Sequence, residues 1–356
     1  MASILEDFDE NKDRYESFAK SIRSLLSSLI LNEGINVHTI SSRVKGRESL
    51  ENKIKGKESY NDIDDITDIV GLRIITHYAD EVDMIAKIIE AEFKIDKPNS
   101  VDKRMSLEPD RFGYLSLHYI IELGQNRKKL KEHMLYKDFK AEVQIRSILQ
   151  HTWAEIEHDI GYKSSIEVPN PIKRQFSRLA GLLELADIEF INIKKSIAAY
   201  KEDVAEEIEK NTINQNINLD MISYREYLKV SPVIKEIRRK IEGEKGIPLV
   251  LGKSGISPIK QLYYFKITTI KELDDAFTRM KDKVQARASQ VIDWLDKNTH
   301  KKLPLEVLGI YLAQTLAAED GSLERVVKYL LDNEIRSPDK AEETAEKLLS
   351  ALSQKV

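Results

Sequence analysis

The chain has 356 residues and a mass of 41.0 kDa, room for two domains of ordinary size. Lys plus Arg total 56 and Asp plus Glu 60, and the formal charge of -4 excludes a generally basic, nucleic-acid-coating surface while leaving room for a local basic site. With no cysteine there is no disulfide framework, thiol nucleophile or Cys-ligated metal, and the apolar runs fall far short of the roughly 18 residues of a membrane span.

The N-terminus turns acidic by Glu6 and Asp7, unlike a secretory signal, so a cytoplasmic protein with no membrane partner is expected. Residues 5–33 read as helix: Leu5, Phe8, Tyr15, Phe18, Ile22, Leu25 and Leu29 keep a three-to-four spacing and Gly34 supplies the stop. Residues 35–41 alternate as a short strand and 47–56 return to helical spacing. Leu72 to Tyr78 is β-rich, and Val82, Ile85, Ile88 and Ile89 mark an amphipathic helix after it.

Two further strands split cleanly by period two. Gly113 to Leu123 puts Tyr114, Ser116 and His118 on one face and Leu115, Leu117 and Tyr119 on the other. Phe139 to Ile145 puts Glu142 and Gln144 on one face, with Arg146 in phase, and Ala141, Val143 and Ile145 opposite. Each strand therefore has an apolar side to pack and a polar side able to line a cleft. Helices follow at 147–160 and from Pro171 to Glu209, where Phe176, Leu179, Leu183, Ala186, Phe190 and Ile193 are expected to form a buried stripe. The Asn-rich stretch from Asn211 to Asn218 is the expected linker. Beyond it helices are expected at 231–244, 269–298, 304–318, 322–334 and 338–354.

The chemistry concentrates between Arg43 and Lys163. Lys45, Ser49 and Lys53 fall four residues apart, a spacing that places them on one helix face with Arg43 and Arg47 at its entry. Cations and a hydroxyl converging there suit a polyphosphate; a solvated basic face is the plainer reading. Asp68 stands at the mouth of a β-rich segment, where a carboxylate suits Mg²⁺, though with Asp62, Asp64 and Asp65 it also reads as a solvated acidic helix start. Glu142 reads as a second metal ligand, a general base or a salt-bridged strand residue. Tyr114 beside Gly113 offers a ring for a base to stack on, or a packing residue.

The order of these pieces is more specific than any one of them. Arg43-Val44-Lys45-Gly46 with Ser49 and Lys53, Asp68 through Arg73, Phe112 through His118, Glu142 through Arg146, and Trp153 through His158 with Tyr162-Lys163 resembles the synthetase domain of RelA/SpoT-type alarmone synthetases over residues 35–165, with adjoining helices like those of small single-domain members. The resemblance implies an α+β fold: a mixed-sheet, nucleotidyltransferase-like synthetase domain flanked by helices at 1–209, a linker at 210–221 and a mostly helical domain at 222–356. It also implies a GTP pyrophosphokinase that moves the β,γ-pyrophosphate of ATP to the 3′-hydroxyl of GDP or GTP with Mg²⁺ as cofactor.

On this sequence the resemblance assigns Arg43 and Arg73 to the adenine, and Lys45, Ser49 and Lys53 to the ATP phosphates. It assigns Asp68 to Mg²⁺, and Glu142 to Mg²⁺ or to the proton of the 3′-hydroxyl. Tyr114 would stack on the acceptor base, with His118 and Gln144 shaping its pocket. Trp153, Glu157 and Tyr162 read as the frame behind the strands, and the His158-Asp159 pair as part of it. Where relatives carry P-K-x-N-G-Y, this chain has Pro109-Asp110-Arg111-Phe112-Gly113-Tyr114, leaving Arg111, or Lys103 or Arg104, to meet the acceptor phosphates. The acceptor therefore stays open. GDP or GTP is the main reading, an adenine nucleotide or the 3′ end of tRNA an alternative, and an inactive nucleotide-binding regulator a second one. Arg127-Lys128-Lys129 and Lys194-Lys195 are candidate tRNA-backbone contacts or ordinary solvated faces. The residues before Arg43 are too few for a hydrolase module, so reversal of the reaction is not expected.

Residues 222–356 carry no assignable constellation. Gly252-Lys253-Ser254-Gly255 lacks the P-loop spacing and reads as a turn. A helical module that binds a regulator, or that mediates homo-oligomerisation, is the expectation for this half.

Overall fold

The computed structural model describes residues 2–56, 60–102, 116–162, 169–209, 217–252, 257–295 and 302–353. The chain forms two compact units, Met1–Lys195 and Ser196–Val356. The division falls within a helix that runs on to Glu209, and residues 210–216 of the expected linker lie outside the described residues.

In the first unit the order is α1 (Ala2–Asn32), β1 (Thr39–Val44), α2 (Arg47–Gly56), β2 (Val70–Thr76), α3 (Asp80–Glu92), β3 (Phe93–Ile95), β4 (Val101–Asp102), β5 (Leu117–Leu123), α4 (Gln125–Lys128), β6 (Lys140–Ser147), α5 (Ile148–Tyr162) and α6 (Asn170–Glu209). The sheet runs β1-β2-β6-β5-β3, with β4 also on β5. Among the described residues of this sheet only the β2–β6 pair is parallel; the other pairs are antiparallel. The mixed α+β architecture is the one anticipated.

Period-two patterning decides which face of the sheet packs. Val70, Leu72 and Ile74 of β2, Ala141, Val143 and Ile145 of β6, and Leu117, Ile121 and Leu123 of β5 are buried in one core with α1 and α3. The stripe of α1 drifts from the expected one: Leu26 and Ile30 are fully buried while Leu25 and Leu29 lie at the edge of the core. A straight helix turns 100° per residue, so a stripe kept over eight turns slides by one position.

The stripe expected on α6 is corrected more strongly. Leu179, Phe190 and Ile193 are exposed, as is Leu182 at 64%. The helix buries Ala180 and Asp187 instead. The spacing identified an apolar face, and nothing in spacing says which neighbour covers it.

The second unit comprises α7 (Met221–Val230), α8 (Pro232–Lys245), β7 (Leu249–Val250), α9 (Ile259–Tyr264), α10 (Ile270–Trp294), β8 (Leu303–Pro304), α11 (Val307–Ala317), α12 (Leu323–Asp332) and α13 (Pro338–Ser353). Its helices start on chemistry legible in the chain: Asp220 with Ser223, and Thr269 with Glu272, form capping boxes. Tyr224, Tyr227, Ile237, Phe277 and Leu312 fill the main core, and Val326, Tyr329 and Ala345 a smaller one. Helices α7 and α9 and the short parallel pair β7–β8 are additions to the expected elements. Among the described residues no helix is long and apolar enough to cross a membrane.

Candidate active site

A cleft of about 930 Å³ opens on the polar face of the sheet, near the top of the roughly 300–1,000 Å³ range of small-molecule sites. Strand register builds its floor. Arg43, Gly71 and Glu142 lie in one row across β1, β2 and β6; Ser41, Arg73, Gln144 and His118 form the next. Gly71 leaves the gap over which Arg43 lies: a Cβ there would meet Arg43 Cγ at 3.6 Å and Nε at 3.7 Å.

Two elements close over this floor. The backbone N–H of Lys45 donates to the Ile69 carbonyl at 2.8 Å, pinning the turn before α2 to the start of β2. Helix α2 buries Leu50 and Ile54 and so turns Ser49, Asn52 and Lys53 toward the cleft. Lys45 thus lies just ahead of the helix instead of on its face, and Arg43 is a strand residue. Arg47, expected at the same entry, pairs with Asp9 at 2.9 Å.

Both lysines converge on one carboxylate oxygen. Lys45 Nζ lies 2.8 Å and Lys53 Nζ 2.7 Å from Asp68 Oδ2. Burial pushes the Asp68 carboxyl up, but the hydrogen bonds and charges of the two lysines outweigh it and hold the group below its ordinary value. Asp68 is not part of an acidic helix start: Asp62 and Asp65 cap a short 3₁₀ turn at Ile63–Asp65, and Asp68 follows it.

Glu142 is the second half-buried carboxylate of the cleft. His118 Nδ1 lies 2.9 Å from its Oε1, and Gln144 Nε2 donates to its Oε2 at 3.1 Å. Arg146 Nη2 donates to Gln144 Oε1 at 2.6 Å, so one polar ladder runs along β6. Burial raises the Glu142 carboxyl, His118 and Gln144 more than reverse this, and the group sits below its ordinary value. An ionised carboxylate only accepts, so the proton of the His118–Glu142 contact is on Nδ1.

Several residues of the cleft were not singled out from the sequence. Ser41 shares the face of Arg43 by period two, and Asn52 lies one turn beyond Ser49; both spacings were readable. Glu155 on α5 was not: its Oε1 holds Arg73 Nη1 at 2.9 Å across a separation no local pattern reveals. His158, read as frame, lines the cleft. Trp153 fits the frame reading, buried with its indole N–H on the Phe176 carbonyl at 3.3 Å, whereas Glu157 is exposed. Arg111 and Tyr114 lie outside the described residues, as do Lys103, Arg104 and Lys253 to Gly255. Arg127 ion-pairs with Glu92, Lys128 with Glu122 and Lys194 with Asp80, so these cations are already engaged within the fold.

Asp68 tests the expectation of a divalent cation. Its Oδ1 is buried with no hydrogen-bond partner, an orphaned acceptor, while both lysines take Oδ2. Among the described residues no group of three or more His, Asp or Glu is placed to hold a metal ion by itself. A cation held by Asp68, with Glu142 nearby and phosphate oxygens and water completing the shell, fits this donor set.

Similarity to known proteins falls on the same stretch. The family described as "Region found in RelA / SpoT proteins" matches residues 42–167. GTP pyrophosphokinase YwaC of Bacillus subtilis (strain 168) is 32% identical over 207 residues, 55% of this chain and 95% of that relative. The chain belongs to the RelA/SpoT family. A second relative, GTP pyrophosphokinase YjbM of the same organism, is 27% identical over 165 residues, 45% of this chain and 74% of the relative. The crystal structure of the small alarmone synthetase 1 from Bacillus subtilis aligns with a TM-score of 0.46 at 22% identity, over 55% of this chain and 99% of that one. The RelA/SpoT region thus contains every cleft residue described above except Ser41, which lies one position before it.

Proposed function

We propose that the first unit is an ATP:nucleotide 3′-pyrophosphotransferase that makes (p)ppGpp from ATP and GDP or GTP. The observation that carries this reading is the Lys45–Asp68–Lys53 cluster facing the ionised Glu142 across one cleft. The names of YwaC and YjbM support the acceptor.

In this reading Arg43 and Arg73 flank the adenine with their guanidinium planes, and Glu155 fixes the plane of Arg73. Lys45 and Lys53 meet the triphosphate. Asp68 already holds both ammonium groups in the cleft, so little side-chain entropy remains to be lost when the phosphates arrive. The acceptor 3′-oxygen attacks the β-phosphorus of ATP. The new O–P bond forms as the bond from the β-phosphorus to the bridging oxygen of the α-phosphate breaks, and AMP leaves. Glu142 accepts the 3′-hydroxyl proton, and its depressed pKa keeps it ionised and ready at neutral pH. His118 orients Glu142 through Oε1, and Gln144 through Oε2. The two lysines stabilise charge on the transferred group and on departing AMP. A Mg²⁺ ion bound through Asp68 Oδ1 would neutralise phosphate charge and align the chain of phosphates. Tyr114 and Arg111 complete the acceptor side. Residues 222–356 take a regulatory part, and the setting is the cytoplasm.

Incubation of the purified chain with γ-labelled ATP and, separately, GDP, GTP, ATP and tRNA tests this. Label is expected on GDP and GTP. Label only on ATP or tRNA overturns the acceptor, and label on none overturns the transferase.

A further inference from the structure

Several half-buried cations of the second unit are matched by carboxylates. Arg225 meets Glu306 at 2.9 Å, Lys245 meets Asp293 at 2.7 Å, and Lys281 meets Glu236 at 2.9 Å. Arg287, half-buried on α10, departs from this. Its Nε donates to Gln314 Oε1 at 2.8 Å and its Nη1 to Gln290 Oε1 at 2.7 Å. Among the described residues no carboxylate lies within ion-pair distance of it.

The choice of partners has an electrostatic consequence. Residue 290, one turn along from residue 287, is the place where a helix would ordinarily pair an arginine with glutamate. Glutamine there, and again at 314, fixes the guanidinium without cancelling its charge. A guanidinium has five N–H donors, and two are used. The remaining three keep a fork geometry suited to two oxygens of one anion.

Two aromatic residues complete the surroundings. Tyr311 is buried in its ring, and among the described residues its hydroxyl has no partner; burial raises its pKa while the charge of Arg287 opposes the rise, so it stays a protonated donor. Trp294 has Arg287 at 5.4 Å from its ring centroid and is 64% exposed, leaving ring surface open for stacking. Burial in turn disfavours the unmatched charge of Arg287, an effect that a bound anion relieves.

We propose that Arg287, Tyr311 and Trp294, with Gln290 and Gln314 as supports, form a nucleotide-binding site in the second unit. Arg287 and the Tyr311 hydroxyl take the phosphate, and Trp294 stacks the base. The site lies outside the pyrophosphotransfer cleft and uses none of its residues.

The chain has two tryptophans, Trp153 and Trp294, which makes the site optically accessible. The full chain is titrated with GMP, AMP, ribose 5-phosphate and inorganic phosphate, without ATP, while tryptophan emission is followed. A saturable change with GMP or AMP is expected, lost in Trp294→Phe, weakened about tenfold or more in Arg287→Gln and less in Arg287→Lys, which keeps charge but not the fork. Tyr311→Phe is expected to weaken binding about threefold with circular dichroism unchanged, which keeps the test open should Arg287→Gln misfold. Basal pyrophosphate transfer stays unchanged in Arg287→Gln. The proposal fails if no ligand gives a Trp294-dependent response, if Arg287→Gln folds and binds as the parent does, or if ribose 5-phosphate matches GMP and AMP. The readout needs no turnover, so it stands apart from the transfer reaction.

Discussion

The two units each organise a carboxylate around basic side chains, and they do so differently. Asp68 receives two ammonium groups on one oxygen and keeps the other unmatched, so the cluster carries a net positive charge into an open cleft. Glu306, fully buried, receives a single guanidinium from Arg225, and its backbone carbonyl takes the Tyr224 hydroxyl at 2.9 Å. The first arrangement has spare valence and spare charge for a ligand. The second is neutral and closed, tying α7 to the start of α11. An ion pair has room for a ligand when its stoichiometry is left incomplete.

Four substitutions press on this contrast. The largest effect is expected at the carboxylate facing the lysine cluster: Glu142→Gln should lower turnover by about 10²–10⁴-fold in a labelled-ATP assay, the range for a lost acid–base group. A turnover equal to the parent's would remove Glu142 from the proton transfer. In the closed pair, Glu306→Ala should cost roughly 2–4 kcal/mol of stability, discounted from a fully buried pair because Arg225 is about a third exposed. Thermal unfolding reads the cost, and basal transfer should not change; a selective loss of turnover would join Glu306 to the chemistry.

Glu155→Gln tests a looser pair. Releasing Arg73 should raise the KM for ATP about fivefold and leave kcat near the parent value, since an exposed ion pair is worth about 1 kcal/mol. A fall in kcat alone would place Glu155 elsewhere in the mechanism. The smallest effect is one of pH. Burial holds the Asp187 carboxyl above its ordinary value, the Ser147 hydroxyl at 2.7 Å partly opposing it. The native state therefore retains a proton that the unfolded chain releases, and stability falls as pH rises from the ordinary Asp value through the raised one. Denaturant unfolding from about pH 4 upward should show the parent losing ground to Asp187→Asn by about 1 kcal/mol or less. A parent that gains over that window contradicts the assignment.

The floor of the cleft was largely legible from the chain. Alternation alone placed Glu142, Gln144 and Arg146 on one face, because period two leaves a strand no other choice. What alternation cannot supply is register, which set Arg43, Gly71 and Glu142 side by side, nor the pairings of Arg47 with Asp9 and Arg73 with Glu155, made between segments far apart in sequence. The α6 stripe failed for a related reason. Its leucines and isoleucines follow helical spacing, yet burial depends on a neighbour that the helix itself does not encode.

The parallel pairing of β2 with β6 has a consequence for synthesis of the chain. Arg43 and Gly71 meet through an antiparallel pair of neighbouring segments, but Glu142 joins their row only when β6 has been made and has threaded between β2 and β5. Such long-range pairing is slow and comes late in folding. A nascent chain that stops short of Glu142 holds Lys45, Lys53 and Asp68 but lacks the carboxylate that completes the row. The polar row across the sheet is complete only once the strand that carries Glu142 is in place.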